Sequence, residues 1–149
     1  MFDFWDGDIK TARNPEHEVW TPVPYPGYET AYMVSNLGRV IRIAGGPGVN
    51  FEAGKSYRFK AASPDNKGYP VVNLWINNKR KTVKLHVLVL TTFMGPPPHD
   101  EYGQYEGHHI EEPKTDCRLS NLEWITPKEN REEEWHRYIT NGEARPDLR

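Results

Sequence analysis

Two adjacent histidines, His108 and His109, are followed by Asn121, 12 residues after His109, and by Asn130, 9 residues further on. The types suit a definite chemistry. An imidazole titrates near neutral pH and can take a proton from water. A divalent ion with few protein ligands keeps open positions for water and an anionic group, which is what phosphodiester hydrolysis needs. Consecutive residues on a strand face opposite sides. His108 and His109 therefore cannot easily share one ion, but they can divide the work.

The elements that must position this cluster are legible nearby. Thr126, Pro127 and Glu129 make a capping box, which predicts a helix from 127 to about 139. Asn130 then lies in its first turn, just after a strand over Leu122–Ile125. Arg131, Trp135, Tyr138 and Ile139 fall near one helix face and are expected to pack on the strands. Leu85, Leu88, Val89 and Phe93 recur at helical spacing, so residues 86–94 read as a helix with one buried face. Residues 96–106 read as a loop leading to the histidines.

Further back the pattern is that of strands. Residues 69–76 and 79–85 read as a hairpin around Asn77-Asn78. Residues 32–43 read as another, with Asn36 and Gly38 supplying the turn. Glu18-Val19-Trp20 reads as a short strand before Pro22, and Tyr57–Lys60 as a half-buried one. Residues 44–54 read as a loop. Residues 1–17 read as a loosely attached arm pinned by Phe2, Phe4 and Trp5, and the tail from Thr140 as frayed. The fold class is α+β.

At 149 residues with 13 Pro and 12 Gly, the chain is expected to hold one modest core with many turns. It has no apolar run long enough to span a membrane, and its acidic start is unlike a secretory signal. The single Cys117 excludes an internal disulfide framework and a cysteine-rich zinc site, and fits a reducing compartment. Net charge is −2, yet ten Lys or Arg against two acids give residues 39–86 a charge of +8. A basic middle between acidic ends is either a footprint for a polyanion or a solvated sheet face.

The text Gly107-His108-His109-Ile110-Glu111, Asp116 to Thr126, and Glu129-Asn130 resembles the motif of HNH nucleases, the His-Me finger or ββα-metal class. Leu85–Phe93 resembles the segment preceding that motif in phage and intron-encoded homing enzymes. Glu18–Val23 with Tyr32–Val40 resembles the N-terminal module called NUMOD4. The likeness runs from residue 18 to 131. It implies an N-terminal arm (1–17), a β-rich NUMOD4-like module (18–84), a ββα-metal nuclease core (85–140) and a tail (141–149). It implies metal-dependent hydrolysis of DNA, by nicking or double-strand cleavage, leaving 5′-phosphate and 3′-hydroxyl ends. His109 would be the general base, His108 and Asn130 the metal ligands, and Asn121 the brace of the intervening loop. The homing enzymes often carry Asp or Asn where His108 stands. One divalent ion is expected, Mg²⁺ or Mn²⁺ first, with imidazole shifting preference toward Mn²⁺, Ni²⁺ or Zn²⁺. The partner is DNA and no membrane. A double-strand cut would require a homodimer or two sequential nicks. The setting implied is the cytoplasm, as a phage-encoded protein in its host.

Lys79, Arg80, Lys81 and Lys84, with Arg39 and Arg42, are the expected DNA-backbone contacts. The hairpin bearing Arg39 and Arg42 could equally be pure scaffold. His86 is read as a satisfied structural histidine, and Trp20, Trp75, Trp124 and Trp135 as core rather than base-stacking platforms. Cys117 is read as an unreactive replacement for a polar loop residue. His17, His99 and His136 have no partner spacing. Two rival functions are an inactive DNA-binding protein, and a phage structural protein using the cluster as a folding metal site.

Overall fold

The computed structural model describes residues 2–46, 49–51 and 56–141, with the side chains of 137–141 excepted. The expected side-chain packing of Tyr138 and Ile139, part of the expected 44–54 loop and the tail from 142 lie outside them. A short helix α1 (Ile9–Ala12) is followed by β1 (Trp20–Pro22), β2 (Tyr32–Ser35), β3 (Val40–Arg42) and β4 (Arg58–Phe59), which pair antiparallel in that order. Next come β5 (Ser63–Pro64), β6 (Pro70–Ile76) and β7 (Lys79–Lys84), a second antiparallel sheet. The chain passes directly from β7 into α2 (Leu85–Met94), then through a small hairpin, β8 (His99–Asp100) and β9 (Gly103–Gln104). The last unit is β10 (Glu106–His109), a 3-10 turn over Leu119–Asn121, β11 (Leu122–Ile125) and α3 (Pro127–Asn141). No described helix is long and apolar enough to cross a membrane.

The first sheet is covered on both faces. Tyr32, Val34 and Val40 join the main core, while Trp20, Met33 and Ile41 form a smaller cluster with Phe2. This is why Val40 and Ile41 are both buried, although a one-sided strand would alternate. The N-terminal arm supplies the outer cover and is firmly docked rather than loose. Asp3 and Trp5 exchange backbone hydrogen bonds with Trp20, at 2.8 Å each, and the Phe2 ring meets Trp20 edge-on at 4.8 Å. In contrast β4 is an exposed edge, with Arg58 and Phe59 both in solvent, so the expected half-burial of 57–60 fails.

Helix α2 is the centre of the molecule. Its sequence predicts one buried face, but Leu85, His86, Leu88, Val89, Leu90 and Phe93 are all buried. Strands β2, β6, β7, β10 and β11 lie against it from several sides. A core shared by residues 12–40, 72–93 and 117–122 therefore runs continuously across the β7–α2 junction. The Asn77-Asn78 turn forms as expected, with φ of 49° and 63°, the left-handed pair that a tight two-residue hairpin demands.

Candidate active site

Strands β10 and β11 pair with His108 opposite Glu123 and His109 opposite Leu122. Alternation sends Gly107 and His109 toward α2, and Glu106 and His108 to the other face, where α3 lies. The helix starts as its sequence predicts. Glu129 N–H donates to Thr126 Oγ1 at 3.1 Å, and Thr126 N–H donates back to Glu129 Oε1 at 3.0 Å. That cap fixes the first turn, and Asn130 Nδ2 donates to Glu106 Oε2 at 2.7 Å. Across the strand, His108 Nδ1 lies 3.2 Å from Glu123 Oε1.

Asn121 braces the loop between the strands. Its Oδ1 accepts from Glu111 N–H at 2.9 Å, and its Nδ2 donates to the carbonyls of Glu111 and Asp116, each at 3.0 Å. The segment that follows His109 is thereby closed on itself. Its N-terminal support comes from a distance: Leu119 N–H donates to the Asn36 carbonyl at 2.8 Å.

His109 is only 3% exposed. Its ring lies 4.7 Å from that of His86 and 5.9 Å from that of Tyr69, and Tyr69 in turn stacks on His86 at 5.2 Å. Cys117 Sγ is 3.6 Å from His109 Nε2. No spacing in the chain announces this group, because its members come from four separate segments. His86 is not hydrogen-bond satisfied as expected: its Nδ1 is buried without a partner among the described residues. Burial, then the neighbouring His109 and Lys84, lower its pKa to about 3, so the ring is neutral. It reaches this place because Gly107 has no side chain; a Cβ there would sit 2.8 Å from His86 Cδ2. Burial pushes the Cys117 thiol up to about 12, which fits an unreactive cysteine, although it is buried core rather than polar loop.

The residues fit a lightly ligated metal. His108 Nε2 is buried with no hydrogen-bond partner among the described residues, an acceptor position that an ion would satisfy, and Asn130 lies across the same strand face. Among the described residues, no three His, Cys, Asp or Glu side chains converge to hold an ion. One imidazole and one carboxamide would leave most coordination positions to water and substrate.

Three comparisons bear on this arrangement. The NUMOD4 motif matches residues 18–75. Two uncharacterized HNH endonucleases of Acanthamoeba polyphaga mimivirus, L245 and L247, are 36% and 33% identical over 99 and 116 residues, 66% and 76% of this chain. The solved structure of the HNH homing endonuclease I-HmuI, described for DNA binding and cleavage, superposes with a TM-score of 0.60 at 28% identity, over 79% of this chain. The chain carries the NUMOD4 motif and is similar in sequence and fold to HNH endonucleases. It spans about a quarter of the length of the two viral relatives (26% and 25%) and 58% of the I-HmuI chain.

The expected basic contacts separate into two groups. Arg39 and Arg42 of the NUMOD4 module have internal partners. Arg39 Nε donates to Glu18 Oε2 at 2.8 Å and its guanidinium covers Phe59. Burial opposes the charge on Glu18, but the hydrogen bonds from Arg39 and Ser35 hold its carboxyl below the ordinary range. Arg42 donates to the Tyr32 hydroxyl and to the Trp75 carbonyl, the latter at 3.1 Å. Both arginines are thus held by partners inside the fold, while the Arg39 side chain stays 50% exposed. On β7, alternation splits the basic run: Lys79 and Lys81 face the Tyr25 side, where Lys81 lies over the ring, while Arg80 and Lys84 face outward. Arg80 lies over Trp75, which is 43% exposed. Trp75 is therefore surface rather than core, and Trp135 is also largely exposed. Lys84 and Lys67 enter a cavity of about 490 Å³ shared with Tyr69, Glu106, Gly107 and Asn130, which joins the outward basic face to the candidate site.

Proposed function

We propose that this chain is a metal-dependent endonuclease that hydrolyses DNA phosphodiester bonds, with residues 18–84 as the binding module and 85–140 as the nuclease core. The observation that carries the reading is the single motif unit of His108, His109, Asn121 and Asn130, with Asn121 closing the loop between the strands and a capping box fixing the helix. His109 would accept the proton of the attacking water. Asn121 would hold the backbone after His109 in place. His108 and Asn130 would hold one divalent ion. When bound, that ion supplies charge stabilisation at the phosphate and the departing 3′ oxygen. The ends would be 5′-phosphate and 3′-hydroxyl. Lys84 and Lys67, which line the cavity, with Arg80 further along the outward face of β7, would track the phosphate backbone and give salt-sensitive affinity. The likeness to a DNA-cleaving homing enzyme supports DNA as the substrate.

The deciding measurement is plasmid nicking with Mg²⁺, Mn²⁺, Ni²⁺ or Zn²⁺. Wild type is expected to relax supercoiled DNA, and His109→Ala to lower the rate by about 10²–10⁴-fold. Equal rates would sink the mechanism. One observation favours a second reading, a DNA-binding protein that does not cut: His109 is buried against His86, Tyr69 and Cys117. That reading expects retention of DNA by both proteins and cleavage by neither, with any of the four ions.

A further inference from the structure

Each of the two residues proposed to hold the metal has a carboxylate on its other side. His108 Nδ1 faces Glu123 Oε1 at 3.2 Å, and Asn130 Nδ2 donates to Glu106 Oε2 at 2.7 Å. We infer that Glu123 and Glu106 are positioning residues of the metal site, each selecting which atom of its partner is presented to the ion. The inference rests on the reading that His108 and Asn130 bind a divalent ion.

The chemistry follows from what a carboxylate can do. It has no proton to give, so contact with Glu123 requires His108 to carry its proton on Nδ1. The lone pair then resides on Nε2, the buried atom with no hydrogen-bond partner among the described residues. A carboxylate behind a metal-bound imidazole also raises its basicity. The same logic sets the Asn130 carboxamide. Glu106 can accept only from Nδ2, which turns Oδ1 away from Glu106 and keeps the oxygen, the only metal-binding atom of the amide, available. Glu106 and His108 lie two residues apart on one strand face, so a single hairpin edge sets both ligands.

Direct ligation by the carboxylates is the competing assignment. The glutamine variants separate the two, because an amide keeps the accepted N–H contact of 3.2 Å to His108 Nδ1 or 2.7 Å to Asn130 Nδ2 but is a far weaker ligand than a carboxylate, so direct ligation expects glutamine to lose affinity as fully as alanine. A merely structural role is the other. The Glu123 side chain is 44% exposed and Glu106 is exposed, and pairs of that kind contribute little to folding. Their effect should therefore appear in metal binding and leave melting almost unmoved.

The test is titration of Mn²⁺ into the full chain without DNA, read by calorimetry, for wild type, Glu123→Ala, Glu106→Ala, Glu123→Gln, Glu106→Gln and His108→Ala. Each alanine variant is expected to weaken Mn²⁺ binding about 10- to 100-fold. The glutamine variants should recover most of it, because an amide oxygen still accepts the same N–H. Metal-free melting should stay within a few degrees of wild type. In metal-free wild type, ring ¹⁵N spectra should show His108 protonated on Nδ1, and Glu123→Ala should lose that preference. Unchanged affinity in both alanine variants, with binding abolished in His108→Ala, would overturn the inference and leave the metal reading standing. An Nε2–H tautomer in wild type would also overturn the Glu123 assignment. No binding by wild type would overturn the metal reading, and this inference with it.

Discussion

Asn36 and Asn121 are the same residue doing the same kind of work in two regions. Both are buried, both sit in short turns, and both use the side-chain amide to gather backbone groups. Asn36 accepts from Val19 N–H at 2.8 Å and donates toward the carbonyls of Ala12, Asn14 and His17 at 2.9–3.2 Å. It ties the N-terminal arm to the NUMOD4 hairpin. Asn121 ties the ends of one loop, beside the histidines. The difference lies in what would move if the bonds were lost. Around Asn36 it is an entire arm, with the cover of the first sheet. Around Asn121 it is the backbone after His109. The first should therefore govern stability and the second rate.

The largest expected effect breaks the first half of that contrast. Asn36→Ala strands several buried backbone groups and should cost about 4 kcal/mol, on the order of 10 °C in melting temperature. Cleavage per folded molecule should not change. A loss of rate without a loss of stability would reverse the roles. Next comes His86, which shares its face with the site. Its pKa near 3 is below the unfolded value near 6.5, so the folded chain binds fewer protons between those pH values. Stability is fully present above pH 6.5 and falls as pH drops toward 3. Urea midpoints should record a loss of about 3 kcal/mol by pH 4, and His86→Leu should flatten that slope. Asn121→Ala should lower cleavage about 10²-fold by misplacing His109, with a smaller change in melting than Asn36→Ala. Gly38 couples the two regions: at φ 82°, a Cβ would meet the Cys117 carbonyl at 2.9 Å. Gly38→Ala should cost about 2 kcal/mol in a denaturant titration and reduce rate as well. The smallest effect is Glu129→Ala, about 1 kcal/mol through the capping box, with rate moving only as far as Asn130 moves.

How much of this the sequence carried depends on how local the deciding contacts are. The capping box and the Asn77-Asn78 hairpin are written in neighbouring residues, and they stand. The α+β class follows from such local signals. Asn36 looked like an ordinary turn residue because its partners lie 17 to 24 residues away. The basic run on β7 looked like one patch until the pleat divided it. Arg39 and Arg42 looked available because Glu18 and Trp75 meet them only after folding. The neutral His86 beside His109 depends on a missing side chain at Gly107, and nothing in the spacing of the histidines announces it.

The hydrogen bond from Leu119 to the Asn36 carbonyl, with Gly38 seated on Cys117, has a consequence for inheritance. Segments recognised as separate motifs are often imagined as cassettes that recombination can move between genes. Here the cassette and its recipient are keyed to each other at 36–38 and 117–119. A gene fusion that pairs this module with a foreign nuclease core would inherit half of the key. The main-chain bond tolerates any non-proline residue, so what such a fusion must keep is a residue without a side chain at 38, where a Cβ would meet the Cys117 carbonyl at 2.9 Å.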